Sequence, residues 1–311
     1  MNKGKVLIAA PVHKALIDGL AAEGYTCVHQ ENITQQQAYE IVKDCTGIIT
    51  STRLQLDKEM IDAAPHLQWV GRMGSGMEII DVPYATAKGI ACYSSPEGNC
   101  NAVAEHALGM LLGLTKRIVW SNAEVKKGHW LREENRGIEL EGMTAGIIGY
   151  GHTGSAFARK LQGMDVNVIA YDKYYQSAMQ APVRGCTDLF PLYEEADIVS
   201  FHVPLQADTV NYFNDKFVES IRKPFILINT SRGPVVNTAA LLRGLHSGKI
   251  KGACLDVWEQ EPLSKMNANS RKNFEEIVLM PQVIITPHIA GYSFEAVYKM
   301  SITLLSKIIN V

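Results

Sequence analysis

Neither sign of charge dominates this 311-residue sequence: 30 Lys and Arg stand against 32 Asp and Glu, and the basic residues form no cluster. Nucleic-acid binding requires a concentrated basic footprint, so that class of partner is set aside. Long hydrophobic runs are absent too. Nothing approaches the roughly 18 consecutive apolar residues that suggest a membrane span. The run Val6 to Ala10, closed by Pro11, is too short for the apolar core of a signal peptide. No membrane partner is expected, and the location expected is the cytoplasm. Cysteine is sparse and scattered: Cys27, Cys45, Cys92, Cys100, Cys186 and Cys254 form no CxxC pair and have no histidines at zinc spacing. Disulfides and a metal site are therefore not expected, and the six read as reduced, mostly buried thiols.

What the sequence does contain is alternation. Short β-branched runs alternate with helical patterns from end to end, which implies an α/β fold with largely parallel sheets. A first series of strands is expected at Lys5–Ala10, Thr26–Val28, Gly47–Thr50, Gln68–Arg72 and Ile90–Cys92. A second is expected at Ala145–Gly149, Asn167–Tyr171, Ile198–His202, Phe225–Asn229, Gly252–Asp256 and Val283–Thr286. Between them lie a predicted loop, Ser94 to Asn99, and a long helix from about Asn101 to Trp120, rich in Ala, Leu and Met and read as a bridge between domains. The segment from Tyr292 onward reads as a helix burying Val297, Met300, Ile302, Leu304, Leu305 and Ile308. It is expected to pack back on the first domain.

The most specific local signal is Gly149-x-Gly151-x-x-Gly154, holding His152 and Thr153 between its last two glycines. An apolar strand enters it and a helical pattern leaves it. A second strand then ends in Asp172, 18 positions beyond Gly154. In this context the first glycine makes the tight turn, the second lets backbone approach a pyrophosphate, and the third permits close helix–strand packing. The helix N-terminus favours the anion. A carboxylate at Asp172 suits free ribose hydroxyls and repels a 2′-phosphate, so NAD is the expected cofactor. A second glycine-rich stretch, Gly71 to Gly76, lacks the third glycine and the distant acid. It reads as a loop able to cradle a small carboxylate with backbone N–H groups.

Three more segments follow predicted strands, at the edge where open α/β sheets bind ligands. They supply one Arg, one Glu and one His: Arg232, Glu261 and His288. Reduction of a 2-keto acid calls for that set. A guanidinium can fork onto carboxylate and carbonyl oxygens, an imidazole can give a proton to the forming alkoxide, and a carboxylate can orient the imidazole. Spacing alone does not show that the three converge.

These motifs, with His202-Val203-Pro204-Leu205, Asn229-Thr230-Ser231-Arg232-Gly233, Leu255-Asp256-Val257 and Pro287-His288-Ile289-Ala290-Gly291, resemble the D-isomer-specific 2-hydroxyacid dehydrogenases over nearly the whole chain. The resemblance implies two Rossmann-like domains, flavodoxin-like and dinucleotide-binding, with a cleft between them. The substrate-binding domain would comprise 1–98 with 287–311, and the NAD-binding domain 99–286. It implies Arg232, Glu261 and His288 as the catalytic trio and Asp256 near the nicotinamide amide. Val203, Thr209, Thr230, Ser231 and Ala290 would line the cofactor. It further implies a homodimer, with the helix near 101–120 at the contact.

Within the family, the stretch Ala63 to Gly76 is most similar to D-3-phosphoglycerate dehydrogenases lacking a C-terminal regulatory domain. That implies a 3-phosphoglycerate/3-phosphohydroxypyruvate substrate, with Ser75 and Gly76 cradling a carboxylate and Arg72 and Arg53 facing a phosphate. Feedback control through such a domain is not expected. Met77-Glu78 departs from that subgroup's pattern, and Ser51 stands where an arginine is often found. Two other readings stay open: a glyoxylate or hydroxypyruvate reductase, and a non-enzymatic NAD(H)-sensing protein of the corepressor kind.

Overall fold

Runs of β-branched and aliphatic residues become the strands of two separate parallel sheets in a computed structural model that describes residues 2–174 and 182–310. Met1 and Val311, the ends of the expected substrate-binding ranges, lie outside the described residues, as do 175–181 within the expected NAD-binding range. The chain divides into two compact units, Met1–Cys100 with Gly291–Val311, and Asn101–Ala290. The α/β class expected from the alternation is what the structure shows. No helix among the described residues is long and apolar enough to cross a membrane.

In the first unit, β1 (Gly4–Ala9), β2 (Tyr25–His29), β3 (Cys45–Thr50), β4 (Trp69–Arg72) and β5 (Ala91–Ser94) alternate with α1 (Lys14–Ala22), α2 (Gln35–Val42), α3 (Lys58–Asp62) and α4 (Val82–Ala87). The sheet order is β2-β1-β3-β4-β5, parallel throughout. Leu7, Ile48 and Val70, from three adjacent strands, are fully buried in its core. The helix α12 (Phe294–Ile309) packs in this unit and buries Met300, Leu304 and Ile308. Ile302, expected inside, is exposed. A side chain at Gly19 would strike Leu305, so that glycine sets how closely α12 approaches α1.

The second unit contains α6 (Ile118–Lys126), β6 (Thr144–Ile148), α7 (His152–Gln162), β7 (Asn167–Tyr171), β8 (Arg184–Cys186), α8 (Phe190–Glu195), β9 (Ile198–Phe201), α9 (Asp215–Ser220), β10 (Phe225–Asn229), α10 (Thr238–His246), β11 (Ile250–Leu255), α11 (Ala268–Ile277) and β12 (Val283–Ile285). Its order, β12-β11-β10-β9-β6-β7-β8, reverses direction between β6 and β9. Ligands bind at such a switch point, outside the carboxyl ends of the strands. Phe201, Phe213, Leu227 and Leu241 form part of the buried layer beneath it.

Three further expectations need correction. The Ser94–Asn99 loop is shorter than read, because α5 (Pro96–Thr115) starts at Pro96, whose fixed φ suits a first helical position, with Glu97 favourable in the first turn. The helix does not run on to Trp120: Arg117 sits at φ 52 and separates α5 from α6. The strand β8 escaped because its three residues carry no alternating apolar pattern. The two compact units meet after Cys100 and after Ala290, whereas the resemblance implies bounds after 98 and 286, and within the second unit Asp256 holds the backbone of 288–290. All six cysteines are free; three are buried and three partly exposed.

Candidate active site

The turn between β6 and α7 is built around glycines that leave room for backbone. Gly149 has φ 92, and a Cβ there would lie 2.5 Å from the His202 carbonyl oxygen. At Gly154 it would lie 2.0 Å from the carbonyl oxygen of Gly149, so α7 can start against the turn only with glycine in place. Gly151 is different. A Cβ there would meet nothing within 4 Å, and Gly151 caps α7 without a side-chain hydrogen bond. The first turn of the helix, with His152 exposed and Thr153 partly exposed, therefore presents N–H donors to open space.

Asp172 follows β7 and is 8% exposed. Its Oδ2 accepts the N–H of Tyr150 at 2.6 Å and its Oδ1 that of Tyr174 at 2.7 Å, which fixes the carboxylate beside the glycine turn. Val203 lies against the same turn, with Cγ1 3.1 Å from the Cβ position of Gly149. The Thr209 hydroxyl is occupied in shaping its own loop: it donates toward the Pro204 carbonyl at 2.7 Å and accepts the Gln206 N–H at 2.8 Å. Thr230 carries a buried hydroxyl without a partner. An open helix N-terminus, a fixed carboxylate and an orphaned hydroxyl are what a dinucleotide would use, so these residues fit the cofactor that the sequence implies.

His202, in the same layer, is buried against Phe157 and hydrogen-bonded to Ser200 Oγ at 2.8 Å. Burial pushes its imidazole down to about 4 from an ordinary 6.5, so the ring is neutral in the folded protein near neutral pH. The unfolded chain takes up a proton as pH falls through about 6.5 that the folded chain refuses until about 4, so stability must decline across that window. The slope is up to about 1.4 kcal/mol per pH unit. Chemical denaturation at pH 7 and pH 5 should show the loss, and His202→Gln should flatten it. An equally steep decline in the variant would assign the acid sensitivity to other groups.

The second cluster grows from the ends of β10, β11 and β12. Asn229, 1% exposed, ends β10 and bridges the loop that follows. Its Oδ1 accepts from the Ser231 N–H at 3.1 Å and the Ser231 hydroxyl at 2.8 Å, while its Nδ2 donates to the Arg232 carbonyl at 3.0 Å. Arg232 donates from Nη1 to the Ser231 carbonyl at 2.7 Å. Gly233 then passes so close to the next loop that a Cβ would sit 1.7 Å from the Trp258 carbonyl oxygen. That approach brings the Arg232 loop against the loop carrying Glu261.

Glu261 accepts the Trp258 N–H at Oε1, 2.7 Å away, and pairs through Oε2 with His288 Nδ1, also at 2.7 Å. Burial pushes the Glu261 carboxyl up, but the hydrogen bonds from His288 and Trp258, with the charges of His288 and Arg232, outweigh it and hold the group below its ordinary range. Glu261 is therefore an ionised acceptor, and the shared hydrogen belongs to Nδ1 of His288. Nε2 is left as the ring nitrogen able to exchange a proton with a substrate. The structure thus brings Arg232, Glu261 and His288 into one electrostatic group.

Asp256, by contrast, is a clamp. Its carboxylate is 1% exposed and accepts from the Thr286 hydroxyl at 2.6 Å and from the N–H groups of Ile289 and Ala290 at 2.9 and 2.8 Å. The sequence motifs contained Asn229, Asp256 and Thr286, but nothing in their spacing showed that these side chains bind the backbone on which Arg232 and His288 stand.

In the first unit, Ser95 organises the Gly71–Gly76 loop: its hydroxyl donates to the Arg72 carbonyl and accepts the Gly74 N–H, each at 3.0 Å. Arg72 is buried beneath Gly74 and donates to the Met73 carbonyl, and Ser75 donates to Asn99 Oδ1 at 3.2 Å. Gly76 follows, partly exposed. Arg53 is exposed and committed elsewhere: it donates to the Glu31 carbonyl at 3.0 Å and to Asn32 Oδ1. Of the two arginines expected to face a phosphate, Arg72 is therefore buried and Arg53 is exposed, and each is hydrogen-bonded within the first unit.

Residues 108–290 match the family model of the D-isomer specific 2-hydroxyacid dehydrogenase NAD-binding domain. The chain is 32% identical over 308 residues to the D-3-phosphoglycerate dehydrogenase of Archaeoglobus fulgidus, an alignment that covers 98% of this chain and 57% of that protein. It therefore spans little more than half the length of that relative. The glyoxylate reductase of Thermofilum pendens is 36% identical over 274 residues, 86% of this chain and 78% of that protein. Among solved structures, D-lactate dehydrogenase from Aquifex aeolicus complexed with NAD and lactic acid has a TM-score of 0.82 at 26% identity, covering 98% of this chain and 94% of that one.

Proposed function

This chain belongs to the D-isomer specific 2-hydroxyacid dehydrogenases, and from that premise we propose that it interconverts a D-2-hydroxy acid and its 2-keto acid with NAD as the hydride carrier. The observation that carries the proposal is the convergence of Arg232, Glu261 and the His288 ring at the carboxyl ends of β10–β12, in the same unit as the open N-terminus of α7. The dinucleotide, when bound, supplies or accepts the hydride. Its pyrophosphate belongs at the Gly149–Gly154 turn and its adenine ribose at Asp172, whose carboxylate disfavours a 2′-phosphate.

The chain's own residues supply the rest. Arg232 binds the acid's carboxylate and polarises its carbonyl oxygen, which lowers the cost of negative charge developing there. His288 gives a proton from Nε2 to that oxygen in reduction and takes it back in oxidation. Glu261 orients the ring and offsets its positive charge when it is protonated.

On the substrate, two observations pull apart. Arg72, whose guanidinium lies against Gly74 in the loop that carries Ser75 and Gly76, supports an acid with a second anionic group, such as 3-phosphohydroxypyruvate. The engagement of Arg53 with Glu31 and Asn32 favours a smaller, unphosphorylated acid such as glyoxylate or hydroxypyruvate. NADH consumption with 3-phosphohydroxypyruvate, hydroxypyruvate, glyoxylate and pyruvate side by side tests both. Preference for the phosphorylated acid upholds the Arg72 reading, and preference for the others removes it. Tight NADH binding without turnover of any acid would overturn the enzymatic proposal in favour of a sensing role.

We further infer that the working species is a homodimer of the reducing cytoplasm, the compartment favoured by six free cysteines. The helix α6 buries none of its residues, and with the following segment it exposes Ile118, Val119, Val125 and Trp130. An apolar surface of that kind calls for a cover, and a second copy supplies one. Light scattering should give roughly twice the chain mass, and a single-chain mass would remove the dimer.

A further inference from the structure

We propose that His106 is a positioning residue for this reaction, fixing through Thr286 and Asp256 the turn that presents His288. The inference rests on the hydride-transfer reading above. His106 lies on α5, among Ala104, Ala107, Met110 and Leu111, which are all buried. The His106 side chain itself is 23% exposed. Its Nε2 lies 2.9 Å from Thr286 Oγ1, and that oxygen lies 2.6 Å from Asp256 Oδ1.

The direction of each bond follows from hydrogen counting. A carboxylate only accepts, so the single hydroxyl hydrogen of Thr286 points at Asp256. The Thr286 oxygen then accepts from the ring, which places a hydrogen on Nε2 of His106. His106 Nε2 is also 3.7 Å from Asp256 Oδ1.

Asp256 passes the constraint on. Its two oxygens hold the N–H groups of Ile289 and Ala290, the two residues directly after His288, and its backbone carbonyl holds the His288 N–H at 2.8 Å. His288 has φ 55, a left-handed conformation uncommon outside glycine that persists only where its surroundings fasten it. That turn aims the ring at Glu261. The path His106, Thr286, Asp256, residues 288–290 is therefore one continuous tether from a helix to the proton-transferring imidazole.

The test compares wild type, His106→Leu and His106→Gln in steady-state NADH oxidation with a 2-keto acid, and in amide hydrogen exchange of residues 288–290. A Gln amide can return an N–H toward Thr286, whereas Leu cannot. For His106→Leu we expect kcat lower by about 10-fold, with KM for NADH within about 2-fold of wild type. Exchange at Ile289 and Ala290 should be faster, and both effects should be reversed in His106→Gln. Unchanged kcat and exchange in His106→Leu, or a Gln variant as impaired as the Leu variant, would overturn the proposal. Should His106→Leu fail to fold, Thr286→Val removes the same hydroxyl at nearly constant shape. Unchanged exchange at Ile289 and Ala290 in that variant overturns the tether equally. If wild type turns over no acid, the hydride-transfer reading falls while the exchange comparison still decides whether the tether exists.

Discussion

His288→Asn is expected to lower kcat by about 10²–10⁴-fold, the range for removing a general acid–base. Asparagine is the informative replacement because of the backbone. His288 occupies φ 55, and Asn visits the left-handed region more readily than most other non-glycine residues. The bonds that Asp256 makes to Ile289 and Ala290 use backbone N–H groups and survive the change. An Asn amide can also still donate toward Glu261. What disappears is the ring nitrogen opposite Nδ1, the one able to exchange a proton with the substrate oxygen. Cofactor affinity should stay within about 2-fold, because the glycine turn and Asp172 are untouched. Paired measurements of kcat and NADH affinity check this. An unchanged kcat would remove His288 from proton transfer, and a matching loss of NADH affinity would make its role structural.

How much of this was legible in the sequence depended on whether the determining interaction was local. The glycine turn was readable because each glycine answers to a constraint within a few positions: the positive φ of Gly149, and the contact between Gly154 and the Gly149 carbonyl. Eleven of the twelve strands among the described residues were readable because burial leaves a mark on residue type. β8, three residues at the sheet edge, left none. Arg232, Glu261 and His288 were found as types at strand ends, but their meeting depends on Gly233 lying against Trp258 and on the left-handed turn at His288, which no spacing records. Arg53 is the complementary case. An arginine placed near an expected site looks available until the structure shows it bound to Glu31 and Asn32. Asp256 was assigned to a ligand by resemblance, while its hydrogen bonds with Thr286, Ile289 and Ala290 give it a second task, the fastening of a loop.

Gly233→Ala should be nearly as damaging to turnover as losing a catalytic side chain, although it removes no functional group. The added methyl would sit 1.7 Å from the Trp258 carbonyl oxygen, 2.0 Å from its carbon and 2.6 Å from the Glu259 nitrogen. These are backbone atoms, so no rotamer change can relieve the contact, and one of the two loops must move. Overpacking of a tight site costs about 1–3 kcal/mol in stability, which a protein of this size can survive. The Arg232 loop is pinned by Asn229 on one side, and the Glu261 loop by its bonds to Trp258 and His288 on the other. The displacement therefore falls on the separation between guanidinium and carboxylate. A misplacement of about 1 Å in reacting groups can cost ~10²-fold in rate. We accordingly expect kcat/KM for the acid to fall by at least about 10²-fold, with NADH affinity changed by less than about 3-fold. Arg232→Gln gives the comparison, because it removes the guanidinium without moving the loops. If Gly233→Ala were folded and fully active, the close approach of the two loops would not be what assembles the site. If instead it lost NADH affinity as severely as turnover, the loop would be serving the cofactor rather than the acid.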